Sequence, residues 1–154
     1  MKGSDKIIGK LNVLLTQELT SINQYVVHST VNKVHGYKKL HKSIFKRATG
    51  EMSHAEDLIQ RIVFLEGSPI VSRLNAVNIG NTVPDQLKFD LEAERTAAET
   101  YNEVIGLARE VGDNGTRELL EDILEDEERH ILYIEGLLEQ IGNMGLDNFL
   151  STQI

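Results

Sequence analysis

Apolar residues recur along the chain at spacings of three and four, the period of an amphipathic helix. Ile8, Leu11, Leu15, Leu19, Ile22 and Val26 form a first stripe, with Ser4 and Asp5 as candidate N-caps and Gly36 as a stop. A second stripe runs through Ile44, Ala48, Ala55, Leu58, Ile62 and Leu65, predicting a helix from about Lys39 to Glu66 that Gly67-Ser68-Pro69 ends. Residues 67–82, GSPIVSRLNAVNIGNT, lose the period and read as a connection of about 16 residues. Pro84 suits the first turn of a third helix, which starts near Thr82 and runs to Val111. GDNG (112–115) separates it from a fourth, about Thr116 to Ile141, and Gly142 and Gly145 isolate a short fifth helix, about Leu146 to Thr152. No strand pattern competes. Two helical hairpins joined by one long crossover predict an all-α four-helix bundle with a short C-terminal helix, in one domain spanning 1–154; a helical domain with other packing is the alternative.

Composition narrows the chemistry. A chain of 154 residues can bury roughly 70% of its unfolded surface, enough for an ordinary core. It has no cysteine, which excludes disulfides, thiolate metal sites and iron–sulfur clusters. Its formal charge is −8, from 24 acidic and 16 basic residues. That balance argues against nucleic acid as a partner and favours cations. No apolar run reaches membrane-spanning length and the N-terminal stretch MKGSDKIIGK has no apolar core of a leader, so the expectation is a cytoplasmic protein.

The acidic run EDEERHI (125–131) reads alone as a solvated helix face. An internal repeat changes that reading. At an offset of 76 residues Glu18 falls on Glu94, Tyr25 on Tyr101, Glu51 on Glu127 and His54 on His130. Each half therefore carries a Glu on its first helix and a Glu-x-x-His pair on its second. Positions i and i+3 lie about 60° apart on one helix face, so Glu51 with His54, and Glu127 with His130, can each present oxygen and nitrogen to one metal ion. All six sit among apolar neighbours, where four carboxylates without cations would repel one another and carry a large desolvation penalty. A Glu from each of two helices and a Glu-x-x-His from each of the other two is the constellation of ferritin-like di-iron and di-manganese proteins. Carboxylate and imidazole ligands suit iron or manganese. Tyr25 and Tyr101, seven residues after Glu18 and Glu94, are candidates to hydrogen-bond ligand carboxylates, with plain aromatic packing as the alternative.

Four segments, LLTQELTSINQY, EMSHAEDLIQRIVFLEG, LLEDILEDEERHI and the opening MKG, resemble the bacterioferritin family along the whole chain. The resemblance implies a ferroxidase centre in which Glu18 and Glu94 are terminal carboxylates, Glu51 and Glu127 bridge two irons, and His54 and His130 each cap one. It implies iron storage and detoxification: Fe²⁺ oxidised by O₂ or H₂O₂, with ferric mineral kept in a hollow homo-oligomeric shell of 24 subunits built from twofold dimers. Met52, which spacing alone reads as a packing residue, becomes by resemblance an axial ligand of a b-type haem shared between two subunits, and a small ferredoxin becomes a partner for iron release. Some members of that family carry a His and an Asp as an accessory inner-surface iron site; Lys46 and Gly50 stand there in this chain, with Arg47 between. His28, His35 and His41 read as surface or interface histidines. The competing functions are a rubrerythrin-like di-iron peroxidase, disfavoured by the lack of a cysteine-bound iron domain, and a non-enzymatic haem-bearing cage.

Overall fold

The computed structural model describes residues 1–154 as five helices and no strands: α1 (Asp5–Val34), α2 (Lys38–Phe64), α3 (Val83–Glu110), α4 (Asn114–Met144) and α5 (Leu146–Ser151). The expected all-α bundle with a long crossover and a short fifth helix is what the chain forms. Helix ends follow local chemistry. Thr82 caps α3 by accepting from Asp85 N–H, with Pro84 in the first turn. Asp113 caps α4, accepting from Thr116 N–H at 3.0 Å, and is held by Arg61 Nη2 at 2.7 Å. Gly145, at φ +80°, makes the bend between α4 and α5 that an L side chain would resist.

Side-chain pairs give the helix directions. Asn32 meets Gln86, Tyr25 meets Glu94 and Gln17 meets Thr100, so α1 and α3 run antiparallel. Arg61 meets Asp113 while His54 meets Asp126, so α2 and α4 also run antiparallel. Two apolar clusters fill the bundle. One holds Leu11, Leu15, Leu58, Ile62, Val104 and Leu120; the other holds Leu40, Ile44, Leu87, Leu91, Ile134 and Phe149 of α5. On each of the four long helices the six acidic and imidazole candidates fall between these clusters.

The inward row of α1 differs from the apolar stripe. Leu11 and Leu15 are buried, but Ile8, Leu19 and Ile22 lie on the flank and Val26 is 43% exposed. Buried Glu18, Ser21, Gln24, His28 and Asn32 take the inward positions instead. Counting apolar residues alone rotates this helix away from its true core face.

The crossover explains that polar face. Its backbone has no helix or strand partners, so α1 side chains supply them. Ile70 N–H donates to Asn12 Oδ1 (2.8 Å), Asn75 N–H to Thr20 Oγ1 (2.9 Å), Asn78 N–H to Gln24 Oε1 (3.1 Å) and Gly80 N–H to His28 Nε2 (3.0 Å). Thr20, Gln24 and His28 stand four residues apart on one ridge, with Asn12 two such steps earlier. His28 is fully buried, which corrects its reading as a surface or interface residue. Because its Nε2 accepts from Gly80, its Nδ1 carries the proton and donates to Asp90 Oδ1 at 2.8 Å. That hydrogen bond ties the crossover to the N-terminal part of α3.

Two glycines test this packing. A Cβ on Gly80 would stand 2.3 Å from Gln86 N, whereas one on exposed, helical Gly106 would meet nothing within 4 Å. Gly80→Ala is expected to lower stability by about 1–3 kcal/mol, and Gly106→Ala to raise it by up to about 1 kcal/mol through helix propensity. Thermal melting of the metal-free variants checks both; equal melting temperatures would refute this account of the crossover.

Candidate metal centre

The structure brings all six sequence-derived residues into one buried layer. Their donor atoms form two groups, Glu18, Glu51, His54 and Glu127 in one and Glu51, Glu94, Glu127 and His130 in the other, with the atoms of each group within 4.8 Å of one another. Glu51 and Glu127 belong to both. The sequence repeat has become a local twofold relation: antiparallel pairing places Glu18 and His54 at one end, Glu94 and His130 at the other, and the shared carboxylates between.

The same geometry crosses the tyrosines. Tyr25 OH donates to Glu94 Oε1 at 2.6 Å, and Tyr101 OH donates to Glu18. Each phenol thus serves the carboxylate of the opposite helix, not the one seven residues before it. Burial pushes both phenols well above their usual range, so they remain donors.

Electrostatics give the chemistry of these carboxylates. Burial first, and then the charge of Glu51, pushes Glu18 well up; burial and the charges of Glu94 and Glu127 raise Glu51. Burial and a hydrogen bond with Glu94 push Glu127 up to about 8. Burial would also raise Glu94, but hydrogen bonds from Glu127 and His130 outweigh it and hold Glu94 at about 2. Burial disfavours charge on His130, yet its hydrogen bonds to Glu127, Glu51 and Glu94 push it up to about 12; His54 is raised in the same manner by Glu127, Glu18 and Glu51. Protons on the two Nδ1 atoms therefore supply positive charge where a cation would.

Oε1 of Glu51 and Oε1 of Glu127 are buried and accept no well-aligned hydrogen bond; their nearest donors are Nδ1 of His130 at 3.3 Å and Nδ1 of His54 at 3.0 Å. Buried carboxylate oxygens left so are costly, and both belong to the shared pair. This donor set, oxygen-rich with one imidazole at each end, fits two hard cations such as iron or manganese.

Two further residues belong to the layer and were not legible in the sequence. Asp126, taken with the solvated acidic run, places Oδ2 3.1 Å from His54 Nε2. Burial of Asp126 is outweighed by His54 and Arg129, which lower it, so it stays ionised. Arg47 is buried, donates through Nη2 to Asp90 Oδ2 at 2.9 Å, and sets Nη1 3.8 Å from Glu94 Oε1. Its guanidinium also lies 4.7 Å over the Tyr25 ring. The i+3 spacing of Asp126 before Arg129 gave no sign that it faces inward, and a basic residue in a core row has no sequence signature. Met52 is 51% exposed on α2, away from this layer.

Residues 8–144 match the family model of a ferritin-like domain. The chain is 37% identical over 147 residues to a bacterioferritin of Mycolicibacterium paratuberculosis, covering 96% of this chain and 92% of that protein. It is 36% identical over 155 residues to a bacterial ferritin of Synechocystis, covering 100% and 99%. A bacterioferritin of Streptomyces coelicolor is 38% identical over 154 residues, covering 100% and 92%. With similarity running the length of both partners, on a bundle of this topology, the chain belongs to the bacterioferritin family of ferritin-like proteins.

Proposed function

We propose that this protein stores iron and acts as a ferroxidase, with Glu18, Glu51, His54, Glu94, Glu127 and His130 as the ligands and catalytic residues of an intrasubunit di-iron centre. The observation that carries the reading is the sharing of Glu51 and Glu127 between two overlapping donor groups. Fe²⁺ is the substrate. Two Fe²⁺ give up one electron each, which with two protons reduces one H₂O₂ to two waters, or which reduces O₂ to the peroxide level.

The residues have distinct tasks. Glu18 and Glu94 each hold one end, while Glu51 and Glu127 span the two positions and offset the charge that builds up on oxidation. Tyr25 and Tyr101 fix the rotamers of Glu94 and Glu18 through their hydroxyls. Asp126 accepts from His54 Nε2, which turns Nδ1 towards Glu18, Glu51 and Glu127. Both imidazoles must release the Nδ1 proton to bind metal. The ferric product is stored within a shell of 24 copies in this reading, for which the acidic chain offers a surface that attracts cations.

Met52 is proposed as a haem ligand. Its half-exposed thioether lies seven residues after Phe45, also half exposed, so both occupy one face of α2, and Val26 is exposed on the adjoining α1. An apolar face of this kind is covered when two copies pair about a twofold axis, which also brings a second Met52. The two Met52 thioethers would hold the haem, which would supply one-electron chemistry for iron release, with a small ferredoxin as the electron source.

Stopped-flow mixing of metal-free protein, loaded with about two Fe²⁺ per chain, with O₂ or H₂O₂ should give a fast phase that saturates at two irons. Glu127→Gln should abolish that phase and leave the assembly intact; an unchanged rate would remove the bridging role. Because His130 holds its proton up to about pH 12 in the metal-free state, metal and protons compete, and affinity falls as pH falls. Titration with Zn²⁺ in buffers of different ionisation heat should reveal the release of more than two protons per chain at pH 7, one from each imidazole and a further one from the Glu127 carboxyl; buffer-independent heats would contradict the protonated starting state. Met52→Leu should remove the haem Soret band while Fe²⁺ oxidation continues, and a surviving band would sink the ligand assignment.

A further inference from the structure

The two ends of the centre differ on their outer side. His54 has a carboxylate at its back, Asp126 Oδ2 at 3.1 Å from Nε2. By the 76-residue offset the counterpart of Asp126 is Gly50, and it does lie beside His130: a Cβ built on it would stand 4.0 Å from His130 Nε2. His130 makes its contacts to Glu51, Glu94 and Glu127 through Nδ1, and Nε2 has no partner from the protein. The side chain of His130 is 20% exposed, against 5% for that of His54.

A cavity of about 580 Å³ occupies the space where the missing carboxylate would be. Lys46, Arg47, Arg129 and Tyr133 line it together with His130 and Gly50. Asp126 also lines it, but its oxygens already serve His54 and Arg129. Three formal cations thus line the cavity beside one carboxylate: Arg129 also pairs with Asp126 and Glu125 and Arg47 with Asp90, whereas Lys46 has no acidic partner. Arg47 is the most telling of them. It is 5% exposed, and its Nε and Nη1 have no hydrogen-bond partner. Its counterpart in the other half is Ile123, a buried core residue, so this charge stands on the Gly50 side alone. A buried guanidinium short of acceptors, beside an imidazole N–H without one, calls for an anionic oxygen.

We propose that this cavity binds a small oxyanion, with inorganic phosphate as the type, one oxygen accepting from His130 Nε2 in the place that Asp126 holds at His54. Lys46 and Arg129 stand at the rim and Arg47 at the wall. The cavity exceeds the volume of phosphate, so the anion can be free or the terminal phosphoryl group of a larger metabolite. Binding of the anion does not depend on the iron reading; its role in orienting His130 does. The carboxylates of Glu51 and Glu94 oppose the anion in metal-free protein, so divalent metal in the centre strengthens it.

Isothermal titration of the full-length protein with phosphate, metal-free and Zn²⁺-loaded, tests this without any oxidation step. One saturable site per chain is expected, tighter with Zn²⁺. Gly50→Asp supplies the missing carboxylate and should abolish phosphate binding, whereas Gly50→Ala, whose Cβ makes only ordinary contact, should keep it. Lys46→Glu, at an exposed position that folding does not need, should weaken binding about tenfold or more. Adenosine monophosphate as competitor separates the two sources: effective competition assigns the phosphoryl group of a larger ligand, and its failure assigns the free anion. No saturable binding in either form, or equal affinity in wild type, Gly50→Asp and Lys46→Glu, overturns the proposal. Loss of phosphate binding with normal Fe²⁺ oxidation, or the reverse, tells failure of this site from failure of the ferroxidase reading.

Discussion

Four carboxylates in one layer of a helical core are the constraint around which the molecule is organised. Taking even one such charge out of water costs several kcal/mol, and neighbours of the same sign add to it. Glu18, Glu51, Glu94 and Glu127 are all essentially buried, so positive charge has to accompany them. In the metal-free chain it comes from protons on His54 and His130, from shared protons such as that on Glu127, and from Arg47 beside Glu94. One oxygen each of Glu51 and Glu127 is left with ion-pair contact to an imidazole but no well-aligned hydrogen bond, so that compensation is incomplete. The apolar clusters on either side keep the layer dry and hold its helices together.

Antiparallel packing converts a linear repeat into a symmetric site. Because α1 opposes α3 and α2 opposes α4, residues at a fixed offset meet about a local twofold axis, and each tyrosine reaches the carboxylate of the other half. The departures from that symmetry are where this chain is individual. Asp126 has Gly50 as its counterpart and Arg47 has Ile123, so one imidazole is backed by a carboxylate and the other by a cationic cavity.

The crossover sets the register of this arrangement. A ridge of α1 side chains satisfies its backbone, and the chain of contacts from Gly80 through His28 and Asp90 to Arg47 ends next to Glu94. Every member is buried and each hydrogen-bonding role is determined by the next, so the loop cannot slide without disturbing the layer. This explains why the inward face of α1 beyond Leu15 is mostly polar, in a helix that nonetheless lies in the core.

Helix number, order, the long connection and the six paired residues were legible in the sequence, because each rests on short-range rules: a 3.6-residue period, cap and turn chemistry, and an i,i+3 pair repeated at one offset. The row of α2, Ile44 to Leu65, could be read directly because, Arg47, Glu51 and His54 apart, its buried residues are apolar. The row of α1 could not, since Thr20, Gln24 and His28 are inside for the sake of a loop some fifty residues away in the chain. Nor could spacing tell Asp126 from its exposed acidic neighbours, pair Tyr25 with Glu94, or place a guanidinium in the core beside a vacancy at Gly50. Those facts depend on which helices face each other and in which direction. The sequence determined which residues can carry the chemistry; only tertiary packing decided what lies across from each of them, because buried polar groups are satisfied by partners far away along the chain.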